Sequence, residues 1–259
     1  MKLPIFQIDA FTDKLFAGNP AAICPLESWL PDELLQSIAA ENNLAETAYF
    51  VREQNGYHLR WFTPAVEVGL CGHATLAAAW VIMNELDPQA RAVNFRSLGG
   101  PLMVHRTGDL YTLDFPASKP VRLPASTQLE EAFGTPILEV WGARDVVALL
   151  DSEQTVVGLT PDFERLKKME GFGFVATAAS SKYDFVSRFF APSQGINEDP
   201  VTGSAHCTLA PFWADRLGRN SLRAFQASPR GGEVLCEVKG ARVELSGYGV
   251  KYMEGTISL

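Results

Sequence analysis

Apolar and polar positions along the chain fall into two periods. Residues 72–86 read GHATLAAAWVIMNEL and offer no polar face at a helical period. A helix apolar all round must be buried, so this stretch predicts the central helix of a domain. Residues 203–217 predict a second buried helix of the same kind. Alternating or β-branched stretches predict strands at residues 5–10, 47–52, 57–62, 102–106 and 110–115, the last two flanking the turn Thr107-Gly108-Asp109. Residues 16–20 carry turn chemistry ahead of a small-residue segment at 21–24, and residues 63–71 form a loop. After Pro31, the residues Leu34, Leu35 and Ile38 share one face of a helix ending near Glu41.

Further along, residues 140–150 are rich in β-formers, Thr160 caps a helix with Pro161 at its first position, and residues 185–190 form a strand. A loop at 191–202 leads into the second buried helix, and a hairpin follows at 233–238 and 241–245. Residues 250–259 are expected to return to the first half of the chain.

The two halves repeat one another. EVGLCGHATLA at residues 67–77 matches EDPVTGSAHCTLA at 198–210 through Glu67/Glu198, Gly72/Gly203 and Ala74/Ala205. Arg60-Trp61-Phe62-Thr63-Pro64 matches Arg188-Phe189-Phe190-Ala191-Pro192, and Ser97 with Gly99-Gly100 matches Ser228 with Gly231-Gly232. Order and an offset of about 130 residues are kept throughout, which chance similarity would not do. An internal duplication follows, with a first lobe at residues 1–117, completed by 250–259, and a second at 118–249.

Composition narrows the function. The 259 residues are 47% hydrophobic and carry a net charge of −8. That charge repels a phosphate backbone, and no basic run interleaves with aromatics, so nucleic acid is not the expected partner. Lys2, Asp9, Asp13 and Lys14 interrupt the first residues, and the longest apolar run, 76–83, is well short of the roughly 20 residues of a membrane helix. A cytoplasmic protein without membrane contact is expected. Cys24, Cys71, Cys207 and Cys236 are scattered without a paired motif, so neither disulfides nor a metal site is predicted.

Candidate chemistry gathers at the helix starts. Gly72 and Gly203 open the two buried helices, where main-chain N–H groups and the helix dipole favour an anion. If the two starts meet across a cleft, the cleft suits a small carboxylic acid. Glu46 stands at the mouth of a predicted strand among Leu44, Ala45, Ala48 and Tyr49, where desolvation would make it a proton donor and acceptor near neutral pH. His73 and Asp199 lie at or just before the two helix starts. Asn19 in a turn and Arg230 beside Gly231-Gly232 are further ligand-binding candidates.

QIDAFT at 7–12, GNPAA at 18–22, NLAETAYF at 43–50, FTPAVEVGLCGHATLAAA at 62–79, RFFAPSQGINEDPVTGSAH at 188–206 and SPRGG at 228–232 resemble the PhzF-like family of phenazine-biosynthesis-related isomerases. The family is similar in fold to diaminopimelate epimerase. The resemblance implies an α+β fold of two pseudo-twofold-related lobes, each a bent, mostly antiparallel sheet wrapped around a central helix, with the site between them. It implies a cofactor-independent isomerase and a homodimer. The family's acid/base glutamate falls on Glu46, its histidine and aspartate on His73 and Asp199, and its substrate-contacting backbone on Gly72, Gly203 and Ser204. One departure is Ala45, where many members have serine, so the phenazine enzyme's substrate does not carry over.

Three functions are weighed. A single carboxylate can move a proton between two positions on one face of a small carboxylate substrate. A racemase or epimerase of the same fold needs two bases, and the equivalent positions here hold Cys71 and Thr202, whose hydroxyl is too weak an acid to alternate as a base. A binding or scaffold protein that keeps the cleft is the third, against which Glu46 and Asp199 argue.

Overall fold

In the computed structural model all 259 residues are described. The elements in chain order begin with β1 (Lys2–Ala10), β2 (Asn19–Leu26), α1 (Asp32–Asn42), β3 (Glu46–Glu53), β4 (Gly56–Phe62), β5 (Glu67–Val68) and α2 (Gly72–Val81). The strands β6 (Ala92–Ser97), β7 (Gly100–Thr107), β8 (Leu110–Pro116) and β9 (Val121–Leu123) follow. Then come α3 (Thr127–Phe133), β10 (Glu139–Gly142), β11 (Val146–Leu149), α4 (Glu153–Val157), α5 (Phe163–Lys168), β12 (Phe174–Ala179), β13 (Phe185–Ala191) and β14 (Ile196–Asp199). The chain closes with α6 (Gly203–Leu217), β15 (Ser221–Gln226), β16 (Gly232–Lys239), β17 (Arg242–Gly247) and β18 (Gly249–Ser258).

Two compact units result, one of Met1–Asp114 with Ser246–Leu259, the other of Phe115–Leu245. In the first, β1 pairs antiparallel with both β18 and β2, β2 runs parallel to β3, β3 antiparallel to β4, and β4 parallel to β6, which continues antiparallel into β7 and β8. The second repeats this grammar: β10 antiparallel to β11, β11 parallel to β12, β12 antiparallel to β13, β13 parallel to β15, and β15 antiparallel to β16. In each unit the short strand before the buried helix, β5 or β14, pairs back onto the preceding long strand. The fold is α+β. None of its helices is long and apolar enough to cross a membrane.

The buried helices earn their position by composition. In α2 the side chains of Ala74, Leu76, Ala77, Ala78, Ala79 and Val81 are all buried, and small residues let the strands of the sheet approach closely. In α6 the interior Pro211 cannot donate to the carbonyl of Cys207, four residues earlier. Ser118 supplies that bond instead, its N–H lying 3.0 Å from the Cys207 oxygen. A freed buried carbonyl thus ties the segment after β8 to the helix.

Several elements depart from the sequence reading. The segment at 21–24 is the middle of β2, whose small side chains pack against α2, and the expected loop at 63–71 contains β5. Strand β6 had no prediction. The first buried helix is α-helical only to Val81, and residues Ile82–Leu86 continue it as a π-helical turn. The helix assigned a Thr160 cap starts later, because Asp162 accepts the Arg165 N–H through its carboxylate and is the better cap.

Candidate active site

The parallel pairing of β2 and β3 sets Ala21 opposite Glu46, so the first residues of the two strands lie at one end of the sheet. Cys71, in extended backbone, is the N-cap of α2, and His73 stands in the helix's first turn. Three elements thereby bring Asn19, Glu46, Cys71 and His73 together. His73 Nε2 is 3.1 Å from Glu46 Oε2, with side-chain exposures of only 5% and 13%. On the other edge of the ring, Nδ1 is 3.2 Å from Asn19 Nδ2 and 3.5 Å from Cys71 Sγ. Thr75 holds the N-cap from behind, its hydroxyl donating to the Cys71 carbonyl.

Burial opposes a charge on His73, but the adjoining Cys71 and Glu46 groups outweigh it and hold the imidazole well above its usual range. Burial pushes the Cys71 thiol up to about 11, with the Glu46 charge adding to it and His73 opposing. A thiol so placed stays protonated near neutral pH, which leaves Glu46 as the partner that holds His73 charged. Donor atoms of Glu46, Cys71 and His73 all lie within 4.8 Å of one another, and these are the residues that could hold a metal. Cys71 and Glu46 address opposite ring nitrogens, however, so a shared ion would require the imidazole to turn.

The second unit gathers a different set. Asp199, the last residue of β14, accepts the Thr202 hydroxyl at Oδ2. Gln226, fully buried at the end of β15, closes this loop: Nε2 donates to the Asp199 carbonyl at 2.7 Å and to Thr202 Oγ1 at 3.1 Å, and Oε1 accepts the Thr202 N–H at 2.8 Å. Gly203 and Ser204 follow at the start of α6. Ser228 donates to the Pro200 carbonyl and accepts the Gly231 N–H, fixing the turn on which the partly exposed Arg230 sits. His206 Nδ1 donates to the Thr202 carbonyl at 2.8 Å, and burial pushes this ring down to about 4 despite that bond, so it is neutral.

The strand register shows what the second copy lacks. Phe62 pairs with Thr47, and its sequence match Phe190 pairs with Phe174, so the counterpart of Glu46 is Gly173. A side chain at Gly173 would put its Cβ 2.3 Å from the Phe189 ring and 3.2 Å from the Asp145 carboxylate. Where the first unit has Glu, Cys and His, the second therefore has Gly173, Thr202 and Ser204. Gln226 and the Arg188–Glu198 pair beside Asp199 were not among the candidates read from sequence. The pair was visible as matched Arg60/Arg188 and Glu67/Glu198; Gln226 had no such signal, since by strand register Ser97 stands in its place in the first half.

Known proteins match over the full length. The chain is 51% identical to an uncharacterized isomerase of Pseudomonas aeruginosa, over 100% of both proteins. Its structure superposes on the crystal structure of a phenazine biosynthesis protein PhzF family member from Enterococcus faecalis with a TM-score of 0.98, 47% identity and 100% coverage of each chain. A predicted epimerase of Pseudomonas aeruginosa shares the fold at a TM-score of 0.78 and 18% identity, covering 99% of each chain. The model of the phenazine biosynthesis-like protein family, PhzC-PhzF, matches residues 8–255, and the chain belongs to that family.

Proposed function

We propose that this isomerase moves a proton on a small carboxylate-bearing substrate, with Glu46 as its single acid/base. The carboxylate takes a proton from an activated carbon, the electron pair shifts along the substrate, and the protonated Glu46 returns the proton to a second carbon on the same face. One C–H bond breaks and one forms, so no further reactant is needed. The observation that carries this reading is the Glu46–His73 contact at 3.1 Å in a nearly closed setting. His73 stabilises the Glu46 carboxylate before the first transfer and after the second, and the main-chain N–H groups led by Gly72 receive substrate charge. Asp199, Gly203, Ser204 and Arg230 are assigned to binding, not to proton transfer, because their unit has glycine in place of the glutamate.

A screen of small unsaturated carboxylates for deuterium uptake from heavy water tests the proposal. Glu46→Gln should reduce uptake by about 10²–10⁴ while binding persists, because the amide keeps the shape and cannot hold the transferred proton. Undiminished uptake would remove Glu46 from the mechanism.

A two-base epimerase is the second reading, favoured by Cys71 lying 3.5 Å from His73. Against it stand the raised Cys71 thiol and Thr202 at the matching position. Cys71→Ser separates the two: a mild effect supports the one-carboxylate mechanism, and a loss equal to that of Glu46→Gln supports the epimerase.

A further inference from the structure

The matched arginines and glutamates of the two halves become one device used twice. Arg60 meets Glu67 through Nε–Oε1 at 2.7 Å and Nη2–Oε2 at 2.8 Å, with its guanidinium 5.1 Å from the centres of both the Trp29 and Phe62 rings. Arg188 meets Glu198 through the same atoms at 2.7 and 2.8 Å, and lies 5.1 Å over Phe190. Its remaining nitrogen, Nη1, donates to the carbonyls of Val157 and Leu159 at 3.2 and 2.7 Å. A two-pronged guanidinium–carboxylate pair fixes orientation as well as distance. The second pair is also the drier, with side-chain exposures of 9% and 14% against 15% and 30% for the first, so solvent and salt screen it less.

Place in the chain gives this pair a consequence. Glu198 precedes Asp199 in β14, and neighbouring side chains on a strand leave on opposite faces. Anchoring Glu198 to Arg188 therefore fixes the direction in which Asp199 departs. Gln226 completes the constraint through its bonds to the Asp199 carbonyl and to both the hydroxyl and the N–H of Thr202. The loop is held through a side chain on one face and through its backbone at the other end, just where α6 begins.

We infer that Arg188, Glu198 and Gln226 are positioning residues that set the Asp199 carboxylate and the first residues of α6. Its functional consequence rests on the proposed binding role of Asp199; the geometric part stands by itself. The test uses the full chain in two measurements. In amide NMR well below the melting temperature, Glu198→Gln and Gln226→Met should displace the resonances of residues 199–206 and speed exchange of the Thr202 amide by about tenfold or more, leaving residues 72–76 unmoved. Arg188→Lys keeps the charge without the fork and should give the same shifts in reduced size. Lower thermal stability with unchanged 199–206 resonances would mean that the three residues are merely structural, and would overturn the inference. Should Glu198→Gln fail to fold, Gln226→Met and Thr202→Val read the other side of the same loop.

The second measurement takes the carboxylate that exchanges deuterium in the screen above. Glu198→Gln and Asp199→Ala should each alter KM or kcat, and the double variant should be no worse than Asp199→Ala alone, as expected when one residue acts through the other. Fully additive losses would count against positioning. Undiminished exchange in Asp199→Ala would instead remove Asp199 from the proposed function and would leave the amide result to be judged separately.

Discussion

His73 shows how one side chain can be specified by residues far apart in the chain. Asn19 is 54 positions away, and its contact with Nδ1 exists only because β2 and β3 run parallel with their first residues at the foot of α2. Glu46 and His73 were legible as candidates because their motifs carry them; the Asn19–His73 contact was not, since Asn19 reads simply as a turn residue. The imidazole is a contest between burial, which opposes its charge, and neighbours that favour it. A ring held above its usual range stabilises the fold fully below about pH 6.5, and that stabilisation is lost as pH rises through the raised value. Replacing Glu46 by Gln removes the neighbouring charge and lets burial prevail. The His73 titration in Glu46→Gln should then fall toward or below the ordinary histidine range, measured by ring-proton or nitrogen NMR. An unmoved titration would show that Glu46 does not hold the charge.

At the level of elements, the long periodic segments were readable and the short or atypical ones were not. The second buried helix occupies Gly203–Leu217 as its pattern predicts, whereas β2, with NPAAICPL, lacks alternation because all but Pro20 and Pro25 are buried along it. A strand buried on both faces loses the period of two that reveals strands in sequence. Gly18, just before β2, is fixed by its surroundings: its φ is +64°, and a Cβ there would lie 2.2 Å from the Ala10 carbonyl oxygen. The join between Ser118 and α6 gives a test at this scale. Ser118→Pro removes the N–H that satisfies the Cys207 carbonyl freed by Pro211, leaving a buried acceptor without its donor. Stability should fall by about 1–3 kcal/mol in denaturant titration. Ser118→Ala, which keeps the N–H, should cost far less.

Across the whole molecule, the duplication was the most legible feature, because it left matched blocks in order. The divergence between copies was less so, since it depends on strand register. Asp145 illustrates it: beside Gly173, where the first unit places Glu46, the second buries an aspartate from the neighbouring strand end, with neither carboxylate oxygen hydrogen-bonded. Burial pushes Asp145 up to about 6, against the lesser pull of Arg144. An acid whose folded value is raised binds more protons folded than unfolded, so its contribution to stability falls as pH rises from about 4 to 6. His206, pushed down to about 4, does the reverse: the unfolded chain binds more protons between about 4 and 6.5, so stability rises with pH there. The two slopes oppose one another and flatten the curve. Asp145→Asn should therefore leave the His206 slope exposed, and its stability relative to the parent should increase by about 2 kcal/mol between pH 4 and pH 7. A difference independent of pH would show that Asp145 does not titrate in this range.

The pairing of β1 with β18 also orders events in time. Residues 2–10 leave the ribosome well before residues 249–258 and must wait for them, an interval on the order of tens of seconds at ordinary rates of synthesis. The whole of Phe115–Leu245 emerges within that interval and can fold, because its strand pairings need nothing made later. The unit that contains Glu46 and His73 is thus assembled from segments made far apart in time, and its sheet closes after the second unit has been made. A nascent chain stalled before residue 249 should carry a protease-resistant second unit and a first unit still open to cleavage.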